Sequence, residues 1–167
     1  MRRVWGPYER GRLLPPVSCF DHDVPPSLPP ILFRFETPTP LRWVDVDSEG
    51  IVNNAVYLSL FEQARYDYFA QLGLLRNGNI PFVLAEATTT FLRPGKLGMR
   101  VVTKARVRAL GRTSFHMDYE SLGDGETLVR GKAALVYVDA ALRPIAIDDA
   151  ARRAIAQFEG IAEGPDA

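Results

Sequence analysis

Residues 44–65 read VDVDSEGIVNNAVYLSLFEQAR. Asp45 and Asp47 stand just ahead of Gly50, an Asn53-Asn54 pair follows, and then a long, mostly apolar segment begins. Tyr57, Leu60, Phe61, Ala64, Tyr68 and Leu72 recur at three- and four-residue spacing, which predicts a helix over residues 54–72. Val56, Leu58 and Phe69 widen its apolar surface beyond one stripe, so the helix is expected to be buried on most sides. Gly73 is its expected end. A carboxylate a few residues before such a helix has two readings. An Asp there commonly caps the first turn. It can also work on a ligand, because a helix N-terminus offers unpaired N–H groups and the positive end of the dipole.

Downstream the pattern is strand-like. FVLAEATTTF (82–91) is rich in Thr and apolar residues, VVTKARVRA (101–109) alternates, and SFHMDYE (114–120) alternates Phe115, Met117 and Tyr119 with His116, Asp118 and Glu120. Period-two alternation means one buried and one solvated face. GDGE (123–126) is a hairpin turn, and TLVRGKAALVYVD (127–139), apolar on both faces toward its end, suits a central strand. A short amphipathic helix is expected over residues 148–158. Upstream, ILFRFE (31–36) reads as a strand, TPTP (37–40) as its interruption or edge, and LRWVDVD (41–47) as the lead into the loop at Gly50. The expected fold is α+β: an antiparallel sheet of five or six strands wrapped around one long central helix.

Seven of the 13 prolines fall within the first 30 residues. Residues 1–30 therefore read as an extended arm ahead of a body over 31–160. The 167 residues suit one domain, and 47% hydrophobic content suffices for a core. Twenty basic and 20 acidic residues give zero net charge, which argues against a general nucleic-acid binder. The single Cys19 excludes an intramolecular disulfide framework, so a cytoplasmic setting is expected. No run reaches the ~18 apolar residues of a membrane span. No His/Cys/carboxylate cluster has metal spacing, so no metal is expected.

The pattern D-x-D-x-x-G-I-V-N-N-x-x-Y, from Asp45 to Tyr57, followed by F-E-x-A-R, from Phe61 to Arg65, resembles the 4-hydroxybenzoyl-CoA thioesterase-like branch of the hotdog-fold acyl-CoA thioesterases. A second match is F-x-x-P-x-x-x-G-x-x-V, from Phe91 through Pro94 and Gly98 to Val101. The element order agrees over residues 31–140. The resemblance implies a hotdog fold and a homo-oligomer, a dimer with sheets joined edge to edge or a dimer of dimers. It implies an acyl thioester held between subunits, with CoA or phosphopantetheine as part of the substrate and no separate cofactor; acyl carrier protein is a possible partner. It makes Asp47 the catalytic carboxylate and the Asn54 backbone N–H the donor that polarises the thioester carbonyl.

Glu62 is the second choice for the working carboxylate, because another hotdog branch places its Glu on this helix. The competing reading is a structural pair with Arg65, one turn on. Asp45 is expected to face solvent or stabilise the loop. Gly50, Ile51 and Tyr57 are expected to shape the substrate site. Lys96, Arg100 and Arg112 are the candidate cations for carrier phosphates, each also readable as an ordinary solvated charge. Many relatives carry His where this chain has Ile51, so no mechanism can use a base there. His22 and His116 read as solvated. Two other classes fit the same fold: a hotdog protein that binds acyl thioesters without cleaving them, and a hotdog dehydratase or hydratase.

Overall fold

The structure is a computed structural model that describes residues 31–162. Every element named below belongs to the compact unit that begins at Leu32. The expected proline-rich arm lies outside the described residues.

The elements in chain order are β1 (Phe35–Pro38), a 3-10 turn (Trp43–Asp45), α1 (Val56–Gln71), β2 (Phe82–Phe91), β3 (Val101–Leu110), β4 (Ser114–Gly123), β5 (Glu126–Tyr137) and α2 (Asp149–Glu159). The five strands form one sheet in the order β1-β3-β4-β5-β2, with every pairing antiparallel. The α+β hotdog architecture expected from the pattern is present, with β5 inside the sheet as its two apolar faces suggest. The β4–β5 connection turns at Asp124 (φ 50°) and Gly125 (φ 88°), the paired positive φ that a two-residue hairpin needs and that Asp-Gly tolerates. Residue 36 does not end β1. Thr37 and Pro38 pair with Thr103 and Val102, because an outermost strand can accept a proline whose missing N–H would face outward. The 41–47 segment holds a 3-10 turn rather than a strand.

Helix α1 packs on the inner sheet face through Tyr57, Phe61, Ala64, Arg65, Tyr68 and Phe69. Phe61 stacks on Tyr119 of β4 with ring centroids 4.8 Å apart. Gly131 of β5 permits this, because a Cβ at that position would run into the Phe61 ring. The helix is less enclosed than its composition suggests. Leu58, Ser59, Glu62, Gln63 and Tyr66 are exposed, so only the sheet side is buried in the single chain. The expected Glu62–Arg65 pair is not formed. Position 65 falls on the sheet side, where the guanidinium donates to the Tyr119 hydroxyl at 3.1 Å, while Glu62 falls on the exposed side.

Helix α2 covers what β1 leaves open. β1 pairs with β3 only as far as Ala105. Two residues on, the Val107 N–H donates to the Glu159 carboxylate at 2.9 Å, and the same oxygen accepts from the Tyr68 hydroxyl at 2.7 Å. Burial pushes the Glu159 carboxyl up from its ordinary value. Arg34 donates to the Phe158 carbonyl at 2.8 Å, and Asp148 caps the start of α2 through the Ala151 N–H.

Candidate active site

The segment ahead of α1 folds back on itself. Val46 bridges Val52, the Asp47 N–H donates to the Ile51 carbonyl at 2.8 Å, and the Gly50 N–H donates to the Asp47 carbonyl at 3.0 Å. Gly50 turns the loop at φ 72°, a conformation that glycine adopts without a Cβ penalty. The Asp47 carboxylate fixes the turn from within: its Oδ1 accepts from the Glu49 N–H at 2.9 Å and the Ile51 N–H at 3.1 Å. Its Oδ2 accepts from no group among the described residues, and the side chain is exposed. One oxygen is a cap and the other is open.

The turn that leads into α1 is held by Asn53 rather than by either aspartate. Its side-chain oxygen accepts from the Ala55 N–H and its carbonyl from the Val56 N–H, both at 2.9 Å. The Asn54 N–H, between them, donates to no group among the described residues. The helix start thus carries an open donor, and the turn that leads into it carries an open carboxylate oxygen.

Asp45 does not face solvent. It is buried and held by Arg42, whose backbone N–H and guanidinium donate to its carboxylate at 2.7 and 2.8 Å. These hydrogen bonds hold the Asp45 carboxyl below its ordinary value of 3.8. The stability tied to a depressed carboxyl is present above that value and is lost as pH falls through it. Asp45→Asn should therefore lower the urea midpoint at neutral pH. Its deficit against the wild type should shrink in acid below pH 3.8. An equal deficit at both pH values would remove the Asp45 charge as the cause.

Alongside α1 lies a cleft of about 410 Å³. One wall is the helix stripe Val56, Ser59, Leu60, Gln63 and Asp67; the other is the segment from Pro38 to Asp45.

Known proteins share this architecture. The thioesterase superfamily profile matches residues 49–129, which hold the Gly50 turn, α1, strands β2 to β4 and the start of β5. A thioesterase of Thermus thermophilus, solved in complex with coenzyme A and Zn, is 35% identical, with 78% of this chain and 98% of that one covered at a TM-score of 0.71. The chain belongs to the thioesterase superfamily. A thioesterase superfamily protein from Jannaschia is 25% identical over 79% of this chain and 87% of that one, also at a TM-score of 0.71. The chloroplastic acyl-acyl carrier protein thioesterase ATL3 of Arabidopsis thaliana is 27% identical over 125 residues, 71% of this chain and 65% of that protein. The chain thus spans just under two thirds of that curated relative.

Within this thioesterase-superfamily chain, the residues singled out in the sequence are only partly brought together. Ile51 bridges Lys96, so the exposed Lys96 lies beside the Asp47 turn, while the exposed Arg100, at the end of the same β2–β3 connection, is tied through its backbone to Asp124 of the β4–β5 turn. Arg112 lies past the opposite end of the ten-residue β3, roughly 30 Å along the strand from Arg100, and does not join them within one chain. Tyr57 is buried and meets Phe91 edge-on, with ring centroids 5.9 Å apart; it supports the helix from the core side. Glu62 is exposed one helix face away. Among the described residues no group of three or more His, Cys, Asp or Glu side chains is placed to hold a metal ion, and no helix is long and apolar enough to cross a membrane.

Ser59 and Gln63 were not singled out in the sequence. The spacing Ser59, Gln63, Asp67 does carry the signal: three polar residues four apart interrupt an otherwise apolar helix and mark one solvated face.

Proposed function

We propose that this chain hydrolyses an acyl thioester at the N-terminal end of α1. The observation that carries the reading is the pair of open groups there, Asp47 Oδ2 and the Asn54 N–H, in a chain of the thioesterase superfamily. The thioester carbonyl oxygen accepts from the Asn54 N–H, and the helix dipole reinforces that donor as charge develops on oxygen. Asp47 Oδ2 either attacks the carbonyl carbon or takes the proton of a water that does. The Glu49 and Ile51 N–H bonds to Oδ1 hold the carboxylate in place for that role. In net terms a water oxygen joins the acyl carbon, the C–S bond breaks, and the thiolate leaves and takes up a proton.

The thiol carrier is CoA or the phosphopantetheine of an acyl carrier protein. Lys96, bridged to Ile51, is the cation we assign to its phosphates, with Arg100 of the same connection as the second candidate. The relatives support the chemical class: one was solved with coenzyme A and another is an acyl-acyl carrier protein thioesterase.

Incubation with a panel of acyl-CoA esters and a thiol-trapping reagent tests the reading. Thiol release that depends on the enzyme is expected. Tight binding without release would make this a thioester-binding protein, and hydration of an enoyl thioester without release would make it a hydratase.

A second copy belongs to the same proposal. Strand β2 is ten residues long, lies at the sheet edge, and is exposed over most of its length, with Val83, Leu84 and Phe91 open to solvent. A long unpaired edge is a template for another strand. The protein is expected to run as a dimer or larger in light scattering at micromolar concentration. Thr89→Pro, which removes a backbone donor from the free side of that strand, should shift it toward monomer. A wild-type monomer would remove the basis for a site shared between copies.

A further inference from the structure

The cleft beside α1 bears on what acyl group such a site would take, and the inference rests on the thioesterase reading above. Its helix wall begins at Val56, two residues beyond the Asn54 N–H, and ends at Asp67. At 1.5 Å per residue that wall runs about 16 Å along the helix. A thioester whose carbonyl sits at the helix N-terminus would therefore send one limb down the cleft.

The wall is not built for a bare alkyl chain. Gln63 donates through its Nε2 to Asp67 Oδ1 at 2.8 Å, and Asp67 Oδ2 accepts from the Thr37 hydroxyl at 2.8 Å. A carboxylate can only accept, so this anchor fixes the amide nitrogen toward Asp67 and leaves the Gln63 Oε1 as an acceptor with no partner among the described residues. One turn nearer the helix start, the Ser59 hydroxyl also has no partner there and can donate or accept. The charged groups of the cleft are two carboxylates, Asp45 and Asp67, against one guanidinium, Arg42, which is spent on Asp45.

We infer that the cleft receives the acyl limb and selects an uncharged acyl group bearing a hydroxyl. The substrate hydroxyl donates to Gln63 Oε1 or exchanges a hydrogen bond with Ser59. An unsubstituted chain covers both groups without pairing them, and a carboxylated chain brings a second acceptor and a negative charge beside Asp67. Sites built to hydrogen-bond a substrate hydroxyl discriminate against the analogue that lacks it.

Three thioesters of matched length decide it: ω-hydroxyhexanoyl-CoA, hexanoyl-CoA and adipoyl-CoA. The wild type is expected to favour the hydroxylated ester over each of the others by on the order of tenfold in kcat/KM. The double variant Ser59→Ala, Gln63→Leu should keep its thermal midpoint, both residues being exposed, and lose that preference while still cleaving hexanoyl-CoA. Equal wild-type rates on all three esters, or a preference that survives in the double variant, would overturn the cleft assignment and leave the thioesterase reading standing. No thiol release from any of the three, nor from the wider acyl-CoA panel, would overturn both.

Discussion

Asp47→Asn should lower thioester hydrolysis by on the order of a hundredfold or more while the protein keeps its fold and assembly. The substitution separates the two oxygens. An asparagine side-chain oxygen can still accept from the Glu49 and Ile51 N–H groups, so the turn keeps its cap. What disappears is the open Oδ2 as nucleophile or base. A purely structural aspartate would show the opposite balance, with near-normal turnover and a modest stability change. Glu62→Gln is the companion measurement. Glu62 is exposed on another face of α1, so its loss should leave turnover close to the wild type. If Glu62→Gln abolishes turnover and Asp47→Asn keeps most of it, the working carboxylate is on the helix.

The largest expected stability effect is at Phe69. Its ring lies among Phe82, Phe115 and Tyr68, with centroids 4.6, 5.5 and 5.3 Å away, and it is 1% exposed. It ties the second half of α1 to the start of β2 and of β4. Truncating a buried phenylalanine removes its transfer free energy and leaves a cavity, together about 3–5 kcal/mol. Phe69→Ala should therefore unfold at much lower urea, with the slope of the transition unchanged as long as unfolding stays two-state. A loss under about 1 kcal/mol would mean that the aromatic cluster collapses into the space.

The sheet was legible because alternation reports burial directly. Arg106 and Lys104 against Val107 and Ala105 leave one choice of face, and the observed β3 follows it. The turn at 123–126 was legible because Asp-Gly tolerates positive φ. The helix was legible in extent but not in exposure. Leu58 read as buried because apolar composition cannot say whether the covering atoms belong to the same chain.

The site divides the same way. Asp47 and Asn54 stood out by motif, and the structure gives each an open atom. Of the two readings of Asp45, the loop-stabilising one holds and the solvent-facing one does not: its burial comes with Arg42, three residues back, through a 3-10 turn that no periodicity announces. Arg65 was paired with Glu62 by spacing alone, yet its partner is Tyr119, fifty-four residues away across the core. Contacts of that kind depend on register between strand and helix, which is a property of the folded sheet rather than of any short segment.

The carboxylate of Glu159 has a consequence for how many copies can join. With α2 seated against the Val107 N–H, and β1 reduced to four residues that include Pro38, the β1 side of the sheet offers little for a new strand to follow. The β2 side is long and, among the described residues, unpaired. A sheet with a hook at one end and none at the other cannot polymerise edge to edge: two copies that join through β2 use up the free end of each. Were copies to pair through β2, the seat of α2 would act as a chain terminator, so that the edge closes after a single pairing.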